Sequence, residues 1–397
     1  QSDWTSCSVR RRLRVISKLR QRIARDPKWL ATYCGRSSQA ESIAAEVLPL
    51  IDASRFLERD APGILRIRRL GRRGRPMWLS GVRSEIRREP FGTVLVIGPS
   101  NYPLMIPGIQ ILQALTAGNA VLVKPAIDST DPVSALKELL IDSGLDTRLI
   151  QILPEEDESV QAAIEIGVDK VVLTGSAETG RHVQRLLADQ LVPASLELSG
   201  CDAVFVTASA DLDRVVKCLT LGLLLNGGRT CIAPRRVFVH RSLAAALKRR
   251  LRVALSEQTA IESVRGTAST SQCVAGLVRD AVNNGASLLA GRIDETEHGD
   301  SLASVTVLEG VTPEMKIVAT DVFAPVMSIL DVDDMETAVL ASEQCPYALG
   351  ASIFGDDKDI EQFKSGLSVG CITVNDLIVP TADPRIPFGG RRQSGFG

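Results

Sequence analysis

Residues 93–125 read TVLVIGPSNYPLMIPGIQILQALTAGNAVLVKP, and this stretch decides the predicted fold. It opens with the β-branched run Thr93–Ile97 and closes with a second such run, Ala120–Lys124. A turn and a helical segment at 104–117 separate the two runs. No charged residue occurs from Pro90 to Val123, a length that could span a bilayer. Interspersed Pro, Gly, Asn and Gln residues break the stretch up, however, so strand, turn, buried helix and strand fit it better.

The alternation of strand and helix continues along the chain. Further strands are predicted at 149–153 and 170–173, with helices at 132–143, 157–166 and 178–189. Strands and helices alternating at this spacing predict a parallel, doubly wound sheet. Ligands bind such sheets beyond the carboxyl ends of the strands. The loops expected to carry function are therefore those at 98–103, 124–129 and 174–180.

Flanking segments predict helices, a hairpin and a second α/β unit. Helical spacing of apolar residues is found at 8–25 and 38–58, and residues 71–90 are typical of a hairpin. A second α/β unit is expected to begin near Ala203. Its predicted strands are 236–240, 305–308, 328–330, 351–354 and 369–374, and its predicted helices are 211–224, 242–256, 334–343 and 357–364. Residues 292–301 are expected to form an exposed loop.

Composition narrows the class of protein. A chain of 397 residues, 45% hydrophobic and 23% charged, is expected to be a soluble globular protein of two domains. The net charge of −1 gives no general attraction to nucleic acid. Eight cysteines form no CxxC pair and three histidines are scattered, so we expect a reducing compartment and no structural metal. No apolar signal-peptide core follows Gln1, which favours a cytoplasmic location.

Two residues stand out as candidates for chemistry. Cys231 follows two glycines in NGGRTC, where a thiolate of lowered pKa could attack a carbonyl carbon. An inert buried cysteine is an equal alternative. Glu197 lies in the apolar segment ASLELSG, where burial would raise its pKa into the range of a general base. An exposed charge on an edge strand is the alternative for that residue.

The turn LTGSAETG, residues 173–180, is a weaker signal. Small residues at the start of a helix expose backbone N–H groups that could bind an anion. The segment lacks the GxGxxG spacing of a dinucleotide-binding turn. An ordinary helix start capped by Thr174 or Ser176 is at least as good an interpretation.

Taken together, seven segments in this order resemble the aldehyde dehydrogenase superfamily: EPFGTVLVIGPSNYP, ALTAGNAVLVKPA, LTGSAETG, LELSG, NGGRTC, DVFAPV and PFGGRRQSGFG. The resemblance extends from about Trp4 to Gly397. It includes the separations of 23 residues from Asn101 to Lys124 and of 34 from Glu197 to Cys231. The implied fold is a doubly wound cofactor domain with a second α/β catalytic domain and a small oligomerisation hairpin. The expected boundaries are 1–70 and 91–202, 203–397, and 71–90, respectively.

The resemblance also implies roles for individual residues. Cys231 would be the nucleophile that forms a thiohemiacetal and then a thioester, and Glu197 the base that activates water to hydrolyse it. Asn101, together with the backbone N–H of Cys231, would form the oxyanion hole. The cofactor, NAD or NADP, would be bound by the following residues: Lys124, Gly175, Ser176, Asp321 and Phe323. The expected partners are a small-molecule aldehyde and further copies of the chain in a homodimer or homotetramer, with no nucleic acid, membrane or metal.

Several positions depart from the family's pattern. Ile127 stands where a glutamate often binds the adenosine ribose, which makes NADP plausible beside NAD because a repulsion against a 2′-phosphate is removed. Arg229, Asp321 and Ala324 replace glutamine, glutamate and glycine, and LELSGC replaces LELGGK. The Arg229 guanidinium could favour the Cys231 thiolate or point outward. Two alternatives to the hydrolytic enzyme follow: a CoA-acylating relative, and a catalytically weakened binding or scaffold member.

Overall fold

The computed structural model describes residues 1–36, 38–256, 268–296, 299–302 and 304–397. The chain forms two compact units. The first contains residues 1–175 and 181–195, and the second contains residues 176–180 and 196–397. Both units are α/β structures built on parallel strands, so the predicted fold class is confirmed. The domain boundaries expected from the sequence stay predictions.

The first unit begins with helices and then alternates strand and helix. Its helices are α1 (Ser2–Ser6), α2 (Val9–Arg25), α3 (Pro27–Ala31), α4 (Gln39–Ser42), α5 (Leu48–Ile64), α6 (Met105–Ala117), α7 (Thr130–Asp142) and α8 (Glu158–Ile166). Its strands are β1 (Arg68–Leu70), β2 (Ser84–Ile86), β3 (Thr93–Ile97), β4 (Ala120–Lys124), β5 (Ile150–Ile152) and β6 (Lys170–Thr174). Helix α9 (Ala177–Ala188) and strand β7 (Ala194–Glu197) contain residues of both units.

The sheet of the first unit places two of the predicted ligand loops at one edge. Strand β3 pairs in parallel with β4 and β6, and β4 pairs with β5. Ile97 and Lys124, the last residues of β3 and β4, are register partners. Because parallel strands end at the same edge, the loops that follow them start side by side. Apolar faces of α2, α5, α6 and α7 cover this sheet in one continuous core.

The predicted hairpin is present, but its first strand starts earlier than expected. Strands β1 and β2 pair antiparallel, with Arg68 opposite Ile86 and Leu70 opposite Ser84. The prediction of 71–90 therefore missed β1, since the arginines around it disguise an alternating pattern. Between the strands, Met77 and Trp78 are 91% and 82% exposed.

The second unit is a larger α/β structure. Its strands are β8 (Ala203–Val206), β9 (Arg236–His240), β10 (Ser287–Ala290), β11 (Ile293–Thr296), β12 (Gly299–Leu302), β13 (Thr306–Glu309), β14 (Val326–Val332), β15 (Tyr347–Ala348), β16 (Gly350–Phe354), β17 (Cys371–Val374), β18 (Arg391–Arg392) and β19 (Gly395–Phe396). Its helices are α10 (Leu212–Leu224), α11 (Arg241–Ser256), α12 (Ala268–Asn283), α13 (Met335–Glu343) and α14 (Asp357–Phe363).

A seven-stranded sheet organises the second unit. The strand order is β10-β13-β14-β9-β8-β16-β17, and only β10 is antiparallel to its neighbour. Separate apolar cores cover the two faces of this sheet. Strand β8 follows the segment LELSG closely, and its neighbour β9, the central strand, follows Cys231. This arrangement brings both segments to neighbouring strands.

Two further features of the second unit concern its smaller strands. Strand β19 pairs antiparallel with the end of β7, Gly395 opposite Glu197. The expectation of an exposed loop at 292–301 is wrong, because β11 and β12 form a hairpin there. Its composition of Asp, Glu, Gly and Ser suggested a loop, but the backbone pairing does not require apolar side chains. Residues 297 and 298 lie outside the described residues.

None of the helices in the described ranges has the length and apolar character needed to cross a membrane.

Candidate active site

Cys231 follows a sharp turn that is anchored by one buried arginine. Asn226 and Gly227 both adopt left-handed backbone conformations, with φ of 54° and 59°. Arg235, four residues beyond the cysteine, donates from Nη2 to the Gly228 carbonyl at 2.6 Å and from Nη1 to the Ala324 carbonyl at 2.5 Å. Its guanidinium therefore ties the cysteine turn to the segment DVFAPV. Because the arginine is buried, its N–H groups need such partners.

The end of the LELSG segment lies directly against Cys231. A Cβ atom added to Gly200 would stand 2.5 Å from the Cys231 carbonyl oxygen. Any side chain at this position would push the two backbones apart. The glycine thus allows the close approach that brings Glu197 and Cys231, 34 residues apart in sequence, into one cluster of the second unit.

Glu197 is the last residue of β7 and is partly buried. Its register partner on the adjacent strand β19 is Gly395. A Cβ atom added to Gly389 would lie 3.2 Å from the Oε1 atom of Glu197. Burial raises the pKa of the Glu197 carboxyl to about 7. Among the described residues none donates a hydrogen bond to its Oε2. The strand is not an open edge at this point, so the alternative of an exposed edge charge does not fit.

The Cys231 thiol is strongly disfavoured as a thiolate in this environment. Burial and, after it, the charges of Asp202, Asp321 and Glu197 together raise the pKa of the Cys231 thiol to about 12, against one backbone N–H from Ile232. The thiol is therefore protonated at neutral pH. The thiol must therefore lose its proton before Sγ can attack a carbonyl carbon.

Two departures from the family's pattern are in contact with each other. The side chain of Ser199 hydrogen-bonds Asp321, which lowers the pKa of that carboxyl, whereas burial raises it more. Ser199 also accepts from the Ser394 hydroxyl through its carbonyl, at 2.7 Å. The Ser199 side chain thus contacts Asp321, whose side chain is one methylene shorter than the glutamate that is usual at this position. Phe323, two residues further, is partly buried in the same segment.

The Arg229 side chain contacts the turn in which it lies. Its Nε donates to the Asn226 carbonyl at 3.4 Å, within the same turn, and the pKa of the Cys231 thiol is raised overall. Both interpretations of this guanidinium, promotion of the thiolate and an outward orientation, stay predictions.

In the first unit, Asn101 and Lys124 occupy the loops at the carboxyl edge of the sheet. Asn101 is 8% exposed and its carbonyl accepts from Arg36 Nη2 at 3.1 Å. Lys124 is 6% exposed, and its Nζ lies 3.0 Å from Asp157 Oδ1. The lysine was expected from the sequence, whereas its acidic partner was not.

Gly175 and Ser176 stand at the start of α9. Ser176 Oγ accepts from the Thr179 N–H at 3.0 Å, so this serine, not Thr174, caps the helix. Thr174 instead accepts from Gln110 at 3.0 Å. The remaining N–H groups at this helix start suit an anionic group.

The predicted site residues thus divide between the units. The first unit holds Asn101, Lys124 and Gly175. The second unit holds Ser176, Glu197, Cys231, Asp321 and Phe323. Electrostatic interactions join Cys231 to Glu197 and to Asp321. Two functional residues, Arg235 and Asp202, were not predicted from the sequence. Burial raises the pKa of the Asp202 carboxyl well above its ordinary value. The feature that could have identified both residues is a charged side chain within an apolar segment. Within the described ranges, no group of three His, Cys, Asp or Glu residues could hold a metal ion.

Comparisons with known proteins agree with this arrangement. The model of the aldehyde dehydrogenase family matches residues 1–397. The chain is 30% identical to the 4,4′-diaponeurosporen-aldehyde dehydrogenase of Staphylococcus aureus, over 81% of the chain and 71% of that protein. It is 31% identical to a Mycobacterium ulcerans protein named putative succinate-semialdehyde dehydrogenase (NADP+) 2, over 100% of the chain and 78% of that protein.

A solved structure gives the same result for the fold. The NAD-dependent aldehyde dehydrogenase of Sinorhizobium meliloti superposes with a TM-score of 0.90 at 25% identity, over 99% of this chain and 79% of that one. The family match over the full length, together with this likeness, leads to one conclusion. The chain belongs to the aldehyde dehydrogenase family and is an oxidoreductase that acts on an aldehyde with NAD or NADP.

Proposed function

We propose that this protein oxidises an aldehyde to a carboxylic acid with Cys231 as nucleophile and Glu197 as base. The observation that carries the proposal is the pairing of a partly buried thiol with a carboxyl whose pKa is raised to about 7 in the same cluster. The Cys231 thiol gives up its proton to solvent, and Sγ forms a bond to the aldehyde carbon. The carbonyl electron pair moves to oxygen, where the Asn101 amide and the Cys231 N–H stabilise the alkoxide.

The nicotinamide cofactor, when bound, accepts the hydride that leaves the former aldehyde carbon. This leaves a thioester on Cys231. Glu197 then takes a proton from water, whose oxygen attacks the thioester carbon. The bond from that carbon to Sγ breaks, and the departing Cys231 thiolate takes the proton from Glu197. The residues offered for the cofactor fit it chemically: a buried Lys124 for the ribose hydroxyls, the start of α9 after Gly175 for the pyrophosphate, and Asp321 and Phe323 for the nicotinamide end.

The experiment that tests this function is product analysis with a panel of aldehydes. Its members are short aliphatic, aromatic, long apolar and semialdehyde substrates, and the two relatives described above are named for 4,4′-diaponeurosporen-aldehyde and succinate semialdehyde. We expect the free carboxylic acid and one reduced cofactor per acid, with no dependence on CoA. Formation of acyl-CoA only when CoA is present would assign the chain to the acylating branch. Failure to bind NAD and NADP would favour the scaffold alternative.

Cofactor choice depends on an acidic segment near Lys124. Glu155 accepts from the N–H groups of Asp128, Ser129 and Thr130, at 2.8, 3.0 and 2.9 Å. Its carboxylate thereby occupies donors at the start of α7. The next three residues are also acidic, and one of them, Asp157, pairs with Lys124. The chain lacks the carboxylate that the family often has at position 127, where Ile127 stands, but residues 155–158 supply four carboxylates. The charge supports a preference for NAD, because carboxylates repel a 2′-phosphate.

We expect titration by fluorescence to give a Kd for NADPH at least about tenfold higher than that for NADH. Asp157→Asn should narrow the difference about threefold to tenfold, since it removes one charge beside Lys124. Glu165→Gln is the matched control, as it removes an exposed charge from the same helix but away from Lys124. Equal affinities for both cofactors in the unaltered protein would contradict this preference.

A cytoplasmic location and a homodimer or homotetramer are part of the same proposal. All eight cysteines are free, which suits a reducing compartment. The exposed side chains of Met77 and Trp78 in the hairpin support burial against another copy of the chain. The balanced net charge supports the expectation of no nucleic-acid partner.

A further inference from the structure

A buried ion pair in the first unit lies against the loop that carries Asn101. Glu46 stands in the π turn Ile43–Val47 and has 0% exposed surface. The side chain of Arg36 is 4% exposed, and its Nη2 donates to Glu46 Oε1 at 2.6 Å. Two charges this deeply buried lose most of their hydration, so the pair persists only if further contacts compensate. Those contacts identify what the pair holds in place.

The arginine contacts the beginning of the loop. Its Nη2 also donates to the Asn101 carbonyl at 3.1 Å. The guanidinium carbon lies 4.6 Å from the centroid of the Tyr102 ring, a cation–π contact. Both the backbone of Asn101 and the side chain of its neighbour are therefore fixed by one planar group.

The glutamate contacts the end of the loop. Its Oε2 accepts from the N–H of Leu104 at 3.3 Å and from the N–H of Met105 at 2.7 Å. Met105 is the first residue of α6, where backbone N–H groups have no partner within the helix and the helix dipole favours a negative charge. The carboxylate thus fixes the backbone three and four residues after Asn101.

We propose that Arg36 and Glu46 are positioning residues that orient the Asn101 side chain toward the alkoxide formed from the aldehyde. The inference rests on the role given to Asn101 in the proposed function. Held by the pair on both sides of Tyr102 and Pro103, the loop keeps its conformation before substrate binds. Donors that are already in place avoid the cost of reorganisation during the reaction.

A double-mutant cycle between Arg36→Lys and Asn101→Ala tests the inference. Lysine keeps the charge beside Glu46 but loses the planar fork that reaches the Asn101 carbonyl. We expect Arg36→Lys to lower kcat about 10- to 100-fold in the native background, with the Kd of the cofactor unchanged. In the Asn101→Ala background, Arg36→Lys should lower kcat less than about twofold, because the Asn101 amide that Arg36 positions is gone.

The control is Arg20→Lys. Arg20 donates to Glu58 from Nε at 2.5 Å and from Nη2 at 3.2 Å, which makes a forked, partly exposed pair between α2 and α5 in the same unit. Among the described residues, the polar contacts of this pair do not include the loop of Asn101. We expect this variant to lose some thermal stability and to keep its kcat. A fall in kcat equal to that of Arg36→Lys would show a general effect of destabilisation and would overturn the inference.

Glu46→Gln is the second variant, since the amide keeps an acceptor for the Met105 N–H while the charge is lost. It should lower kcat only where Asn101 is present. Equal losses of kcat in the native and Asn101→Ala backgrounds, or failure of both variants to fold, would show that the pair serves folding. This result would overturn the positioning role and leave the proposed function standing. Full activity of Asn101→Ala would instead overturn the role of Asn101 in the proposed function.

Discussion

Cys231→Ala will abolish the aldehyde-dependent formation of reduced cofactor, with a fall in kcat of more than about 10⁴-fold. Every step of the proposed reaction after substrate binding involves a bond to the Cys231 sulfur, so no other residue can replace it. The measurement is absorbance of the reduced cofactor under saturating aldehyde. Cofactor affinity should change by less than about twofold, because the cofactor residues proposed here do not depend on the thiol.

The matched control for that variant is Cys218→Ser. Cys218 is also a partly buried thiol of the second unit, and burial raises its pKa as well. It lies in α10, before the turn that precedes Cys231. We expect this variant to retain nearly full activity. Persistent activity in Cys231→Ala, or its loss in Cys218→Ser, would disprove the assignment of the nucleophile.

Glu197→Gln will separate the two halves of the reaction. Without the carboxylate, water is not activated, so the thioester accumulates on Cys231 and kcat falls about 10²- to 10⁴-fold. A rapid-mixing experiment should show a burst approaching one reduced cofactor per site, followed by slow turnover. Glu309→Gln, which removes another partly buried carboxylate of the second unit, should behave like the unaltered protein.

The same carboxyl sets the expected dependence on pH. The pKa of Glu197 is raised to about 7, and its ionised form is the base, so kcat should rise with pH through about 7 and then level. Folding favours the protonated form, because the folded pKa lies above the unfolded value of about 4.3. This contribution to stability is complete below about pH 4 and is lost as pH rises through about 7. Glu197→Gln should lack both effects; a pH profile unchanged by the substitution would contradict the assignment of the base.

Local pattern was sufficient for most of the secondary structure. The strands Thr93–Ile97 and Ala120–Lys124 and the helix Val9–Arg25 are confirmed, because alternation and helical spacing of apolar residues directly reflect which face is buried. The helix α12 (Ala268–Asn283) and the hairpin of β11 and β12 were not predicted. Polar composition hides the pattern of the hairpin, whereas α12 has Val274, Leu277, Val278 and Ala281 at helical spacing that the prediction overlooked.

The chemistry of the site could be inferred only in part. Cys231 and Glu197 each had an equal structural alternative when judged from their own neighbours. The ordered motifs and their separations gave both residues their expected roles by resemblance. Residues that act through others left no such motif. Glu46 sits in an ordinary helical sequence, AAEVL, and nothing local shows that its carboxylate reaches Met105, 59 residues away.

What the sequence by itself determined is the α/β class, the family and the types of residue that carry the chemistry, because periodicity and spacing are local properties of the chain. Only the tertiary structure decided the ionisation of those residues. The pKa of Glu197 rises to about 7 and that of Cys231 to about 12 because distant segments bury them and place Asp202 and Asp321 nearby. The contacts of Asp157 with Lys124 and of Arg36 with the loop of Asn101 likewise exist only in the folded chain. Desolvation and charge proximity are properties of three-dimensional packing, and no local spacing encodes them.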